Sequence, residues 1–298
     1  MRLLVLKFSF LLKGKYFCPD FLTKTVCKMG KRLMIFTLIV LFVGFTVASF
    51  AQDDATAASL YNEGLTKLKA KQYADALPLF EKAIAAADST SEADVKVVKL
   101  AKSNGAVACY SYGNQLLKEK KNDEALKTYD NGIAYNPAFY ANYIGRAQAL
   151  EAKNNAVEAV KAYLTAGKVS ETSDKADKAA EMYKKAENFA AVAWGKKQWD
   201  NTIACAEAFL AEKETADAYY YLSEGLKGKK QQEKALEAAK KAVELSQGED
   251  KDKCNFGLAE IYEAMGQKDN AIATYKLVTG VKYGERAKYE IKQLEGTK

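Results

Sequence analysis

Small and apolar residues recur at fixed steps in one stretch of this chain, residues 109–137. The positions that set the pattern are Gly113, Leu116, Ala125, Tyr129, Gly132 and Pro137. Small residues let two helices approach closely, larger apolar residues fill the space between them, and a proline ends a helix because it lacks an N–H. The stretch therefore predicts a pair of antiparallel helices.

The small residue of the second helix recurs along the chain, at Ala76, Ala125, Ala159, Thr202, Ala235 and Ala271. The successive spacings are 49, 34, 43, 33 and 36 residues. After residue 52 no alternation of apolar and polar residues persists long enough to predict a strand. The pattern therefore predicts an all-α chain built from about six helix pairs.

The two longest spacings contain insertions that are typical of longer helices. In residues 88–104, Ser91 precedes Asp94 by three positions, as in a capping box, and predicts a first helix that starts near Glu92. Residues 170–186 open with Ser, Thr and Asp residues that can cap a helix. We expect both long hairpins to project beyond the regular stack.

The order and spacing of these residues resemble the tetratricopeptide repeat, a helix–turn–helix unit of 34 residues. The resemblance implies an α-solenoid over residues 52–298, with a capping helix at 286–296 whose Ala287, Ile291 and Leu294 would cover the last repeat. The six repeats are expected at about 56–89, 106–139, 140–173, 183–215, 216–249 and 252–284. The residues expected to pack the repeats are Gly64, Ala76, Phe80, Ala83, Gly113, Ala125, Tyr129, Pro137, Ala159, Tyr163, Ala235, Ala271 and Tyr275.

The N-terminal region has the pattern of an export signal. Residues 29–51 begin with basic residues, continue with an apolar core at 33–47, and end in the small-x-small sequence of Ser49 and Ala51. The mature chain would then begin at Gln52, and residues 1–28 would be a start-site extension before Met29. We expect a periplasmic or cell-envelope location in a Gram-negative-type bacterium. An uncleaved anchor over residues 33–50 is the alternative.

The net positive charge of the chain comes from this N-terminal region. The formal charge is +7, but residues 1–51 hold eight of the 45 basic residues and one of the 38 acidic residues. Residues 52–298 therefore hold 37 of each sign. Nucleic-acid binding needs a clustered excess of positive charge, so no nucleic-acid partner is expected.

Candidate chemistry is sparse in this sequence. It contains no histidine, which excludes histidine-dependent catalytic triads and histidine-ligated metals, and residues 225–230 lack the spacing of a nucleotide-binding loop. We expect no enzyme activity, no metal and no cofactor. Cys109, Cys205 and Cys254 are widely separated and are expected to be small buried thiols.

In the family that the chain resembles, the first helix of each pair lines a concave groove where ligands bind. Alignment of the repeats implies one groove-facing row of Tyr61, Tyr110, Ile144, Glu187, Tyr220 and Phe256. Aromatic residues contribute much of the free energy of protein recognition. The other interpretation is that these rings complete the core between repeats, and the sequence leaves both open.

The next row along the same helices comprises Leu65, Asn114, Gln148, Ala191, Glu224 and Glu260. With Asp217 and Glu263 nearby, it predicts an acidic C-terminal half that would suit a basic segment, although Lys253 weakens this expectation. The paired basic residues with which some family members hold a terminal carboxylate are absent from the matching positions, so that activity is not implied.

The resemblance implies a scaffold that binds a peptide or protein segment in its groove. The alternative is a structural envelope component that forms a homo-oligomer through its long hairpins or its exposed terminal repeat. Light scattering separates the two, because the scaffold would be a monomer at all concentrations. A membrane contact is expected only through an uncleaved leader.

Overall fold

The computed structural model describes residues 56–296, and within them every regular element is an α-helix. The predicted leader and start-site extension lie outside the described residues. The thirteen described helices are α1 (Ala57–Lys69), α2 (Tyr73–Ala86), α3 (Glu92–Lys118), α4 (Asn122–Tyr135), α5 (Tyr140–Ala152), α6 (Ala156–Thr172), α7 (Ala176–Gly195), α8 (Trp199–Leu210), α9 (Ala216–Gly228), α10 (Gln232–Leu245), α11 (Gly248–Ala264), α12 (Lys268–Tyr275) and α13 (Val281–Gly296). The first twelve form six consecutive pairs, so the all-α prediction is confirmed for this part of the chain.

The close approach of helices depends on glycine at the pair that the sequence pattern identified first. The Tyr129 ring of α4 is fully buried between α3 and α5. A Cβ added at Gly113 would lie 2.5 Å from Tyr129 Cε1, and one added at Gly145 would lie 2.2 Å from the same atom. Because such distances are shorter than any van der Waals contact, both positions require glycine for this packing. α4 ends at Tyr135, two residues before Pro137.

The other pairs bury the same kinds of residues. The small-residue series Ala76, Ala125, Ala159, Thr202, Ala235 and Ala271 is fully buried at every member. Tyr163 and Tyr275 take the place of Tyr129 in their own pairs, and each donates its hydroxyl proton to a glutamate twelve residues earlier, Glu151 at 2.6 Å and Glu263 at 3.1 Å. Phe80 packs its ring against Gly64 in the first pair.

Each pair is closed by the same tight turn with one residue in the left-handed region. These residues are Lys71, Lys120, Asn154, Lys197, Lys230 and Gly266, with φ between 56° and 72°. In the second pair, the N–H of Lys121 donates to the carbonyl of Leu116 at 2.9 Å, the bond that defines a Schellman ending. Glycine is the usual residue at this position, yet four of the six turns use lysine.

A seventh turn of this type joins the third pair to the fourth. Asp174 has a φ of 55°, and the N–H of Lys175 donates to the carbonyl of Ser170 at 2.9 Å. Elsewhere, first helices of successive pairs pack on each other, as α1 does on α3 and α7 on α9, whereas here α6 packs on α8. The regular stacking of first helices is therefore interrupted between α5 and α7.

The two insertions lengthen helices in different ways. α3 begins at Glu92, and its Ser91 hydroxyl accepts from the N–H of Asp94 at 3.3 Å, so the predicted cap and start are confirmed. The first nine residues of α3 are exposed or half-buried, and Val95 and Leu100 are exposed. The extra turns of α6 and α7 instead bury Ser170 and Ala179.

Two local expectations are corrected by these helices. The Ser, Thr and Asp residues after position 170 do not cap α7, because α6 continues to Thr172 and α7 begins after Lys175 without a side-chain cap. Ser170 instead donates its hydroxyl proton to the carbonyl of Ala166 at 2.7 Å. The capping helix starts at Val281, five residues earlier than expected. Ala287 is buried against the last pair, and Ile291 and Leu294 pack beside it.

The three cysteines of the described region are all buried and unpaired. Burial raises the pKa of the Cys109 thiol to about 12 and that of Cys205 to about 11. They are therefore protonated at neutral pH and pack as small apolar side chains. None of the helices in residues 56–296 is long and apolar enough to cross a membrane.

Candidate functional site

The C-terminal first helices form one continuous face. α7 packs beside α9, α9 beside α11, and α11 beside α13. We call this surface the C-terminal face. It carries Trp194, Tyr220, Tyr221 and Tyr283, which remain partly open to solvent, and it contains two adjoining clefts.

The larger of the two, which we call the aromatic cleft, has a volume of about 550 Å³. Its rings are Trp194 of α7, Tyr220 and Tyr221 of α9, and Tyr283 of α13. The Trp194 ring centroid lies 6.4 Å from that of Tyr220 and 5.9 Å from that of Tyr221. These spacings are those of interacting aromatic pairs, so one cluster joins helices of two repeats.

A ladder of polar contacts beneath the rings holds the four helices in register. Trp194 Nε1 donates to Glu224 at 3.2 Å, and Glu224 is paired with Lys227 at 2.5 Å. Lys227 also contacts Glu260 of α11 at 2.7 Å, and Glu260 pairs with Arg286 of α13 at 2.8 Å. Desolvation would lower the pKa of Lys227, but the two carboxylates outweigh it and the pKa is raised. Lys227 therefore stays charged and links both neighbours.

One wall of the aromatic cleft is the segment that leads into α13. The carboxylate of Asp252 accepts from the N–H of Thr279 at 3.1 Å and from that of Gly280 at 2.8 Å. Gly280, Val281, Lys282 and Tyr283 then line the cleft. The aromatic cleft is therefore bounded, next to α11, by the start of α13.

Lys253 projects into the aromatic cleft and shows how charge is arranged there. Its ammonium lies 5.1 Å above the centre of the Tyr220 ring and is paired with Asp217 and, at 3.4 Å, with Asp250. Desolvation alone would lower the pKa of Lys253, yet the hydrogen bond to Asp217 and the nearby carboxylates raise it. The surroundings of this ammonium are thus electrostatically negative.

A second cleft of about 400 Å³ adjoins the first and shares Tyr221 with it. It is lined by Glu187, Asp217, Asn188 and the lysines of α7 at 184 and 185. Glu187 accepts a hydrogen bond from the Thr215 hydroxyl, and burial together with the charge of Asp217 raises the pKa of its carboxyl. Glu187 of α7 and Asp217 of α9 thus place two carboxylates in this cleft beside the two lysines.

The predicted groove row separates into different environments. Tyr61 and Tyr110 are half-buried. The Tyr61 hydroxyl accepts a hydrogen bond from Asn104 at 3.0 Å. The Tyr110 ring packs edge-on against Phe139, with 6.1 Å between the ring centroids. Tyr220 is half-buried in the aromatic cleft, and Ile144 packs against the core of the third and fourth pairs. Phe256 is corrected: it is 3% exposed, between Tyr275 and Tyr283 and beneath Arg286, because α13 starts early enough to cover it.

The predicted acidic row also differs from its expectation. Glu224 is 6% exposed and Glu260 is half-buried, and both are neutralised within the ladder by Lys227 and Arg286. They position helices and do not present free charge to a partner. Negative charge instead lies on the α11 side of the aromatic cleft, at Glu249 and Asp250.

Sequence reasoning missed three aromatic residues of the cleft: Trp194, Tyr221 and Tyr283. Trp194 lies seven residues after Glu187, and such spacing keeps both on one helix face, so a longer row along α7 would have found it. Tyr283 fell before the predicted start of the capping helix. Nothing in the sequence identified Tyr221, because three consecutive tyrosines at 219–221 do not show which ring faces which side of the helix.

The opposite side of α9 bears a larger cleft, of about 910 Å³, between α8 and α10. Its floor is Ile203, Leu222, Leu226 and Ala238, and Tyr219 lines one side with its hydroxyl bonded to Glu214 at 2.7 Å. Neighbouring tyrosines of one helix therefore face two different surfaces. Within residues 56–296, no group of His, Cys, Asp and Glu side chains is arranged to hold a metal ion.

Comparisons with solved structures found distant similarities. MamA 41-end from Desulfovibrio magneticus RS-1 is 20% identical over 61% of this chain and 96% of its own, with a TM-score of 0.34. YrrB, described as a TPR protein with an unusual peptide-binding site, is 13% identical over 63% and 92%, with a TM-score of 0.37. The TPR2AB domain of yeast Sti1 in its pHSP90 complex is 16% identical over 80% and 96%, with a TM-score of 0.33. No curated protein matches the sequence.

A family model identifies one repeat directly. Residues 253–283 match the model of the tetratricopeptide repeat, and they span most of α11, all of α12 and the start of α13. Five further helix pairs with the same tight turn precede this one. The chain therefore contains a match to the tetratricopeptide repeat at residues 253–283, preceded by five helix pairs of the same helix–turn–helix form.

Proposed function

We propose that this protein is a non-enzymatic scaffold that binds a peptide or protein segment along its C-terminal face. The observation that carries the proposal is the aromatic cleft, where four rings from three helices surround about 550 Å³ of open space. Rigid aromatic side chains bury a large area at a low cost in conformational entropy, and for this reason they dominate recognition surfaces. Binding there requires no chemical step.

The geometry supports a segment that crosses several first helices. Tyr221 lines both clefts of the C-terminal face, so a ligand that fills both would cover this residue. The ladder from Trp194 to Arg286 fixes the helices before a ligand arrives. A preorganised surface loses less entropy on binding, which favours affinity.

We predict that Tyr221→Ala lowers the affinity of a bound peptide by about tenfold or more, because the ring is shared by both clefts. The test is selection of a random 12-residue peptide library on the chain from Thr56 onward, which forms a compact unit of its own. Affinities of the selected peptides are then measured by calorimetry.

Tyr219→Ala is the matched control, because this neighbouring tyrosine faces the cleft between α8 and α10. Its affinity for the same peptides is expected to stay within about twofold of the parent. Circular dichroism of both variants checks that the helices persist. Equal losses in the two variants, or none in Tyr221→Ala, would refute binding at the C-terminal face.

We further propose that the protein is exported and acts in the cell envelope, with residues 29–51 removed. The proposal rests on the basic start, apolar core and cleavage sequence of this segment. N-terminal sequencing of the protein purified from its host should then begin at Gln52. A chain that begins at Met1 or Met29 would contradict cleavage.

A further inference from the structure

We propose that the aromatic cleft receives a lysine or arginine side chain of the bound segment. The inference rests on the proposed function and names the chemistry of the ligand. The site is formed by the rings of Trp194 and Tyr221 together with the carboxylates of Glu249 and Asp250 on one side.

The rings of this face already attract cations within the chain. Lys253 lies over Tyr220 at 5.1 Å, Lys282 over Tyr283 at 5.4 Å, and Arg286 over Phe256 at 4.5 Å, each measured to the ring centre. A cation within about 6 Å of an aromatic face is stabilised by the ring quadrupole. Within residues 56–296, no lysine or arginine lies over the ring of Tyr221 or Trp194 in this way, so these rings remain available to a cation from a partner.

Charges around the two clefts favour a positive ligand. The residues that line them include six carboxylates, at positions 181, 187, 217, 249, 250 and 252, and four lysines, at 184, 185, 253 and 282. Asp217 is neutralised by Lys253, and Asp252 is bonded to two backbone N–H groups. In the described part of the chain, residues 56–296, Glu249 has no cation partner and Asp250 pairs only with Lys253, at the longer distance of 3.4 Å.

The position of these two carboxylates also allows direct contact with a ligand. They lie in the first turn of α11, where negative charge stabilises the helix end, and both line the aromatic cleft. A guanidinium or ammonium placed against the Tyr221 ring would lie in the same cleft as both. Aromatic faces and carboxylates together are the groups that recognise an organic cation, whereas an anion would meet both the carboxylates and the negative faces of the rings.

The test uses two capped nine-residue peptides in which alanine alternates with lysine or with glutamate. Binding is followed by the fluorescence of Trp194 in a Trp199→Phe background, because these are the two tryptophans of the chain. We expect the lysine peptide to bind at least about tenfold more tightly than the glutamate peptide. We expect Glu249→Gln with Asp250→Asn to lower the affinity of the lysine peptide about tenfold.

Glu237→Gln with Glu244→Gln is the control, since it removes the same charge from the cleft between α8 and α10. This control should leave the affinity for the lysine peptide within about twofold. Equal binding of the two peptides, or the same loss in both double variants, would overturn the inference. If library peptides depend on Tyr221 but carry no basic residue, the inference fails while the proposed function stands. If no peptide depends on Tyr221, both fail.

Discussion

Gly145→Ala is expected to destabilise the folded chain by about 1–3 kcal/mol, although alanine is the better helix former by about 1 kcal/mol. The added Cβ would lie 2.2 Å from Cε1 of the fully buried Tyr129 ring. The ring has little freedom to retreat, because Gly113 contacts it from α3 and its hydroxyl donates to Asn114 at 2.8 Å. Urea unfolding of the chain from Thr56 onward measures the loss.

The sign of this effect should reverse when the ring is removed. Tyr129→Ala alone should cost about 3–5 kcal/mol, as expected for deletion of a buried aromatic side chain. In that background Gly145→Ala has no ring to contact, so it should stabilise by up to about 1 kcal/mol through helix propensity. Gly195→Ala is the control, because nothing lies within 4 Å of a Cβ added there. If Gly145→Ala costs as much without the Tyr129 ring as with it, the proposed contact is not the cause.

Glycine in place of the four lysines of the tight turns is expected to stabilise the chain by about 2–4 kcal/mol in total. Lys71, Lys120, Lys197 and Lys230 have φ values from 56° to 61°, a region that costs a residue with a Cβ about 1–2 kcal/mol. Glycine removes this strain but gives back part of the gain, because it leaves the unfolded chain more flexible. The midpoint of urea unfolding for the fourfold variant should therefore rise.

The control replaces lysines one position earlier in the same turns, Lys196→Gly and Lys229→Gly. Their φ values are −89° and −87°, so glycine relieves no strain there and should lower stability. A fourfold variant no more stable than the parent would show that the left-handed lysines are not strained.

The helix-pair architecture was predictable because small and apolar residues recur at similar spacings along the chain. The small residue of each second helix recurs from Ala76 to Ala271, and this recurrence indicated six pairs. The shared face of Ala287, Ile291 and Leu294 indicated the terminal helix. The start of α3 also followed from Ser91 and Asp94, since a capping hydrogen bond depends only on residues three apart.

Other features depended on how the helices meet in space. Phe256 reads as a groove residue by alignment, but the early start of α13 covers it. From the sequence, Glu224 and Glu260 were expected to be unpaired carboxylates. In the structure both pair with Lys227, which lies one turn beyond Glu224 along α9, and Glu260 also pairs with Arg286 of α13. Which tyrosine of α9 faces the C-terminal face depends on how this helix is rotated about its own axis. Alignment of the repeats does not determine that rotation.

The left-handed turn at Asp174 bears on which helix pairs of the chain can be duplicated or deleted as units. Most pairs are separated by open loops, at residues 87–91, 136–139, 211–215 and 246–247, so duplication or deletion of a pair would rejoin one loop to another. Between α6 and α7 the helices continue through a turn of the kind found within pairs, and α6 packs across it on α8. We therefore expect residues 140–210 to behave as one unit of four helices. Within residues 56–296, the units for recombination would then be four single pairs and one double pair, with α13 following the last pair and the boundaries at those four loops.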